Sequence, residues 1–327
     1  KKYDAIKNVL LNTIGCIQFY RRLLLFKLIF FPPAYYSIVT YLQVVLLALD
    51  VHACIAKDSQ RFHHLVVFLI STFRSNHRLL EKRSALIVCR LCVLLDAELV
   101  YREFSQILEG ERDFSFASNM VQALNLILLT SSELIDLRNL LKQSLTNPAS
   151  KDLFLCMYSS WCHSQMGMIS LCILAQAYRH ASAVIQSLVE EDINAKFLMQ
   201  LDKFIRLLEA PVFTYLRLQL LDPGRYPWLL TTLYGLLKLL PQQSTAFKIL
   251  KTRLKTIPPH TIIDQLKRDT EILEVSHDQE KILIDINFES RLQQFKKMQN
   301  QHRMHSRTTQ CPVSSTSTMF SQIQISE

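Results

Sequence analysis

Apolar side chains recur every third or fourth residue along most of this chain, the period of an α-helix with one buried face. The pattern is regular from Val44. It predicts helices over Val44–Ala56, Phe62–Phe73, Leu79–Leu95 and Glu98–Leu108, then a turn at Gly110-Glu111-Arg112-Asp113. Phe116, Met120, Ala123, Leu124, Ile127 and Leu128 mark the next helix. Thr130 to Glu133 reads as a capping box opening a helix with the stripe Leu134, Leu137, Leu141 and Leu145, which Asn147-Pro148 ends. A short helix over Asp152–Trp161 follows, then a longer one over Met168–Val189 that closes at Glu190-Glu191-Asp192. Ile193, Phe197, Leu201, Phe204, Ile205 and Leu208 make a clean amphipathic helix after it.

The stretch from Phe204 to Pro259 is the one around which the chain reads as organised. Phe213, Leu216 and Leu220 recur at helical spacing before Asp222-Pro223-Gly224 breaks the chain. Pro227 suits a first helical turn, where its missing N–H has no partner to lose. From Trp228 to Leu240 apolar residues fall on nearly every side, so this helix is expected to be sandwiched between neighbours. Pro241 stops it. Ser244 is placed to cap the next helix, with Phe247, Leu250 and Leu254 on one stripe and Lys248, Lys251, Arg253 and Lys255 facing water. Pro258-Pro259 closes the unit.

Short helices are marginal alone in water and gain stability by stacking, so the pattern implies an all-α array, an armadillo/HEAT-like solenoid of antiparallel helices. No sharp sequence repeat is visible, and the array rests on helix-turn-helix rhythm alone. Residues 44–259 form the expected helical-repeat domain. Residues 1–43 hold a modest helix near Tyr3–Leu11 and an atypical apolar segment. Leu28–Leu49 runs uncharged for 22 residues, but Pro32-Pro33 leaves 16 from Ala34 to Leu49, short of the ~20 that span a bilayer. Two readings stay open there: a buried or inserted segment, or one that enters a membrane. Residues 260–287 read as a linker and 288–305 as a lone amphipathic helix with Phe288, Leu292, Phe295 and Met298 on one face. The Ser/Thr/Gln-rich residues 306–327 read as a disordered tail. The start at Lys1-Lys2 without methionine reads as a piece of a longer chain.

Composition narrows the class. The 327 residues include five glycines, the closest pair eleven positions apart, so no glycine-rich phosphate loop or dinucleotide fingerprint exists. Net charge is +9, with 29 Lys and Arg against 19 Asp and Glu in residues 1–260 and 8 against 9 thereafter. The cations are spread singly along helices without a basic arm, which speaks against nucleic acid. Solvated helix faces, or a surface for acidic lipid or an acidic partner, remain the two readings. Eight cysteines without a disulfide framework fit a reducing compartment.

Candidate chemistry adds little. Cys89-x-x-Cys92 lies mid-helix in SALIVCRLCVLL, whereas a redox pair wants its first thiol at a helix N-terminus; core packing is the expectation. Cys156, Cys162, His163, Cys172 and His180 lack structural-zinc spacing, and His63-His64 reads as boundary packing. No nucleophile elbow, zincin pair or P-loop appears, so no catalytic residue, metal or cofactor is assigned. Tyr215, Arg217, Tyr226, Trp228 and Tyr234 are of the types favoured at interface centres. With Phe288, Leu292 and Phe295 they form the candidate protein-interaction set, against ordinary core or boundary packing.

One family resemblance covers Val44 to Arg303. APVFTYLRLQLLDPGRYPWLLTTLYGLLKLLPQQSTAFKILKTRLKTIP, LLEKRSALIVCRLCVLLDAE, FASNMVQALNLILLTSSEL and SSWCHSQMGMISLCILAQAYRHA resemble the C-terminal half of the vacuole-morphology ("vac fourteen") scaffold family. FESRLQQFKKMQNQHR is similar to the family's last helix, and the DPGRYPWLL turn leans towards the plant form. The resemblance implies a non-enzymatic scaffold with armadillo/HEAT-like helices. It implies self-association and two partners: a FYVE-domain lipid 5-kinase that makes phosphatidylinositol 3,5-bisphosphate and a Sac-domain phosphatase that removes its 5-phosphate. The implied setting is the cytosolic face of endosomes and vacuoles. Residues 15–43 do not fit the family, and its N-terminal repeats are absent. The competing reading is a peripheral module that binds acidic lipid through Lys and Arg.

Overall fold

The computed structural model describes residues 59–257 and 286–310. The helices expected over Tyr3–Leu11 and Val44–Ala56, the apolar segment, and nearly all of the linker and tail lie outside these residues. Thirteen α-helices occur among the described residues, with no strand. They are α1 (Ser59–Ser75), α2 (His77–Leu94), α3 (Ala97–Glu109), α4 (Phe114–Thr130), α5 (Ile135–Lys142), α6 (Pro148–Trp161) and α7 (Gln165–Leu174), then α8 (Tyr178–Gln186), α9 (Ala195–Leu208), α10 (Thr214–Gln219), α11 (Pro227–Leu239), α12 (Thr245–Lys255) and α13 (Phe288–Gln310).

Short polar side chains start most of these helices, because the first N–H groups of a helix have no partner within it. Asn76, Asp96, Asp113, Asn147, Ser164, Asn194 and the expected Ser244 each accept a first-turn N–H. Pro148 does not merely end the preceding helix; it is the first residue of α6. The capping box expected at Thr130 does not form. Thr130 is the last residue of α4 and its hydroxyl donates back to the Leu126 carbonyl, while a 3-10 turn over Ser132–Leu134 leads into α5.

The helix expected over Met168–Val189 is two helices. Gln176 takes a positive φ of 62° between α7 and α8, and the Ala177 N–H returns to the Cys172 carbonyl at 2.9 Å. This conformation usually falls to glycine. Here the Gln176 amide is anchored instead, donating to the Lys142 carbonyl and accepting from Gln219.

The helices stack in two rows, making an all-α helical solenoid. One row runs through α2, α4, α7, α9 and α12; α3 packs on α6 in the other, where α8 packs on α11. Within this array the structure reveals a duplication that the sequence hides. The unit α4–α7 recurs as α9–α12, shifted by 79 to 81 positions. Buried Phe116, Met120, Leu124 and Ile127 correspond to buried Phe197, Leu201, Ile205 and Leu208. Pro148 and Pro227 open the third helix of each unit, and Ser164 and Ser244 cap the fourth. Each unit also has an arginine that closes its first helix. Arg138 Nη1 donates to the Leu128 and Ser131 carbonyls at 2.8 and 2.6 Å; Arg217 Nη1 donates to those of Leu208 and Ala210 at 2.7 and 3.0 Å.

The centre of the array is α7, not α11. Every residue from Met166 to Leu174 is buried, because α4, α6, α8 and α9 all pack around this charge-free helix. By contrast α11 leaves Trp228, Thr231, Tyr234 and Lys238 at the surface. It approaches α8 closely at Gly235, where a Cβ would meet Ile185 Cγ2 at 3.2 Å. Nor is α13 alone. It lies against α6 and α8, with Leu292 and Phe295 buried, and extends to Gln310 into the stretch expected as tail.

Candidate partner-binding surface

The polar groups that a binding or catalytic site would need are largely engaged in holding the solenoid together. Tyr215 is half-buried; its hydroxyl donates to the Ile173 and Leu174 carbonyls at 3.3 and 3.4 Å, closing the end of α7. The Lys142 ammonium stands 4.7 Å from its ring centroid, and burial pushes the phenol pKa up. Arg217 serves the end of α9 and adds a bond to the Thr214 hydroxyl at 3.0 Å. Tyr226 precedes the first turn of α11, partly buried, with the Arg225 guanidinium 5.8 Å from its ring.

Two of the aromatics stay outward on one edge of α11. Trp228 is 45% exposed under the Arg179 guanidinium at 5.5 Å, and Tyr234 is 37% exposed two turns on. Phe288 stacks on His180 at a centroid distance of 4.8 Å. Leu292 and Phe295 face inward beside it. Hence α8 separates the sequence-derived set into an α11 edge and an α13 face turned to the core.

Beneath α13 lies a polar seam that periodicity could not reveal. The Tyr158 hydroxyl donates to the Arg291 carbonyl and is 2.9 Å from His180 Nε2. Since the tyrosine proton is committed to the carbonyl, His180 supplies the proton of the second bond from Nε2 and is neutral. Burial holds its pKa down at about 4, the Glu289 carboxylate opposing only in part. His163 Nδ1 meets His302 Nε2 at 3.0 Å, a contact that admits at most one added proton. Burial first, and then His163, His305 and Lys196, bring His302 down to about 4. Gln299 donates to the Cys162 carbonyl, and Arg303 Nη1 donates to both oxygens of buried Asp192 at 3.0 and 2.8 Å. Apart from Tyr158 and His180, 22 residues apart, these partners stand more than 100 residues apart in sequence, so no local signal pairs them with α13.

The described thiols are packing groups. Burial raises Cys92 to about 12, and raises Cys162 and Cys172 further, so none is a thiolate at neutral pH. Cys89 sits 3.0 Å from the Ser131 hydroxyl. Among the described residues no group of three His, Cys, Asp or Glu side chains is disposed to hold a metal ion. No single described helix is long and apolar enough to cross a membrane. The bent pair α4 with the Ser132–Lys142 segment passes only as two halves at 86°. What the surface offers is exposed apolar side chains that sequence reasoning did not single out: Leu218 and Leu221 near the end of α10, 61% and 80% exposed, and Met199 on α9 at 61%. Their signal was their position off the buried stripe, which becomes specific only once the stripe is known.

The fold and surface define a helical solenoid with its buried polar groups largely turned to internal bonds and its outer edges carrying apolar and aromatic side chains. Residues 77–257, from α2 to just past α12, match the family described as "Vacuolar protein 14 C-terminal Fig4p binding". The chain is 62% identical over 281 residues to the Protein VAC14 homolog of Arabidopsis thaliana, covering 81% of this chain and 38% of that protein. It is 43% identical over 209 residues to the Protein VAC14 homolog of Schizosaccharomyces pombe, covering 64% of this chain and 25% of that protein. It is 36% identical over 189 residues to the Vacuole morphology and inheritance protein 14 of Saccharomyces cerevisiae, covering 58% and 21% respectively. The chain belongs to the VAC14 family. It spans well under half the length of these curated relatives. No solved structure matches it at a significant level.

Proposed function

We propose that this chain is the partner-binding part of a non-enzymatic scaffold in phosphatidylinositol 3,5-bisphosphate metabolism, with the Sac-domain phosphatase Fig4p, or its counterpart, as direct partner. The observation that carries the reading is coincidence: the family region named for Fig4p binding is the same run of residues that builds the solenoid from α2 to α12. A FYVE-domain lipid 5-kinase and further copies of the scaffold complete the proposed assembly, at the cytosolic face of vacuolar and endosomal membranes. The mechanism is tethering. Holding the enzymes that make and remove one phosphate on a single array turns their encounter into an intramolecular event, with a gain set by effective concentration.

The outer edge of α11, with Trp228 and Tyr234, is the contact we assign to the phosphatase. Exposed aromatics on a rigid helix make large contacts at little entropic cost, and interface energy concentrates in a few such anchors. Capture of the purified phosphatase by the full chain tests the reading. Trp228→Ser with Tyr234→Ser should weaken capture by at least ~30-fold, the loss of an anchor of ~2 kcal/mol. Failure of the unaltered chain to capture the phosphatase overturns the function; undiminished capture by the double variant overturns the surface.

A further inference from the structure

The duplicated units share an architecture but not a charge. Residues 113–174, the first unit with its cap, carry three Lys and Arg against four Asp and Glu; residues 194–255, the second, carry ten against three. The excess is not demanded by the fold. On α12, Lys248, Lys251 and Lys255 follow one another at three- and four-residue steps along one exposed edge. Their counterparts are Met168 and Leu171 on α7 and Ala175 just past its end, all buried. Among the described residues nothing stacks on α12 as α8 and α9 do on α7, and α12 is the last helix of its row there.

Beside it, the same substitution of character runs the other way. Leu218 and Leu221 are strongly exposed where the first unit has Asn139 and Lys142. The elements that carry them adjoin through their buried sides. Arg253 of α12 pairs with Glu209 at the end of α9, and a small void there is lined by Leu216, Leu220, Leu250 and Arg253.

We propose that this end of the solenoid docks on an anionic phospholipid bilayer, with the α12 lysines against headgroup phosphates and Leu218 and Leu221 entering the interface. The choice of a membrane over a protein partner follows from which cations are available. Arg206, Arg217 and Arg253 are taken up by Asp202, by backbone carbonyls and by Glu209. Among the described residues Lys248 and Lys255 have no carboxylate partner, and Lys251 rests over its own Phe247 ring at 5.3 Å. Lysine is depleted from protein interfaces, which favour arginine's bidentate fork, whereas an anionic bilayer attracts lysines as simple point charges. Protruding leucines beside such cations suit the same boundary, where apolar side chains enter the headgroup layer.

Flotation of the full chain with phosphatidylcholine vesicles, with and without phosphatidylserine, tests the proposal at low and high salt. The chain should float with the phosphatidylserine vesicles alone, and high salt should weaken that association by screening. Lys248→Gln with Lys251→Gln and Lys255→Gln should lower vesicle affinity about 100-fold, at roughly fivefold per lysine, with helicity and phosphatase capture retained. Leu218→Ser with Leu221→Ser should abolish the part of binding that survives salt. No flotation with phosphatidylserine, full flotation by the lysine variant, or loss of phosphatase capture by that variant overturns the proposal. So does duplex DNA captured as tightly as the vesicles with no effect of the leucine changes. Because phosphatase capture is read separately, either proposal can fail while the other stands.

Discussion

Arg138 and Arg217 show how much one side chain does at a place where the sequence looks ordinary. Each sits four residues into a short helix, and each folds back to satisfy the carbonyls that end the helix before it. Arg217 is of a type favoured at interface centres, and here its guanidinium is engaged by the carbonyls that end α9. Asp192 is the buried counterpart for α13. It is 4% exposed and accepts from Arg303, from the Val189 N–H at 3.2 Å and from Gln165 at 3.4 Å. In Asp192→Asn one acceptor becomes a donor facing another donor. A loss of about 2 kcal/mol is expected, near the cost of one unsatisfied buried group, since partly exposed Arg303 can turn to water. Urea unfolding of the variant measures it, and a change within about 0.5 kcal/mol would refute the role.

At the scale of elements, α13 is held by histidines that must stay neutral. His180 is kept at about 4 against its usual 6.5, so below pH 6.5 the unfolded chain takes up a proton that the folded chain refuses. This contribution is therefore complete above about 6.5, falls as pH drops towards 4, and is gone below that. His302, also at about 4, adds in the same direction and shares its proton traffic with His163. For His180 alone the fall is on the order of 3 kcal/mol across that window. Denaturant midpoints at pH 7 and pH 4.5 check it; equal midpoints would remove the argument. The linkage belongs to the element because each added charge would fall where α13 is docked, His180 against Phe288 and His302 against His163.

Across the whole molecule, α13 acts as a borrowed member of the outer row, bonded to α6 through Gln299 and packed on α8 through Phe288. Phe295, 1% exposed, is its deepest side chain. Phe295→Ala should cost about 3–5 kcal/mol, as for other large-to-small core changes, and should open the α13 contact to protease before the rest of the array yields. Calorimetry with limited proteolysis distinguishes that order of events from uniform weakening. The second consequence of the global arrangement is polarity of charge: two stacked units of one design, with the cations gathered on the later one. Counted along the chain the cations looked evenly spread, because the comparison that exposes them is between structurally equivalent positions.

The helices themselves were legible because amphipathic period, proline at a first turn and a capping serine are local facts, as Ser244 and Pro227 illustrate. The break at Gln176 escaped notice because no glycine marks it and the conformation is held by Gln219 and Lys142 from other elements. The surface was the least legible part. Tyr215, Leu292 and Phe295 have the same composition as interface anchors but are occupied within the chain, whereas Trp228 and Tyr234 stay outside. Side-chain type and spacing determined which segments coil and which faces need cover. Which cover each face receives depends on neighbours up to about 140 residues away, so the burial of α7, the exposure of the α12 lysines and the docking of α13 were decided only by the tertiary structure.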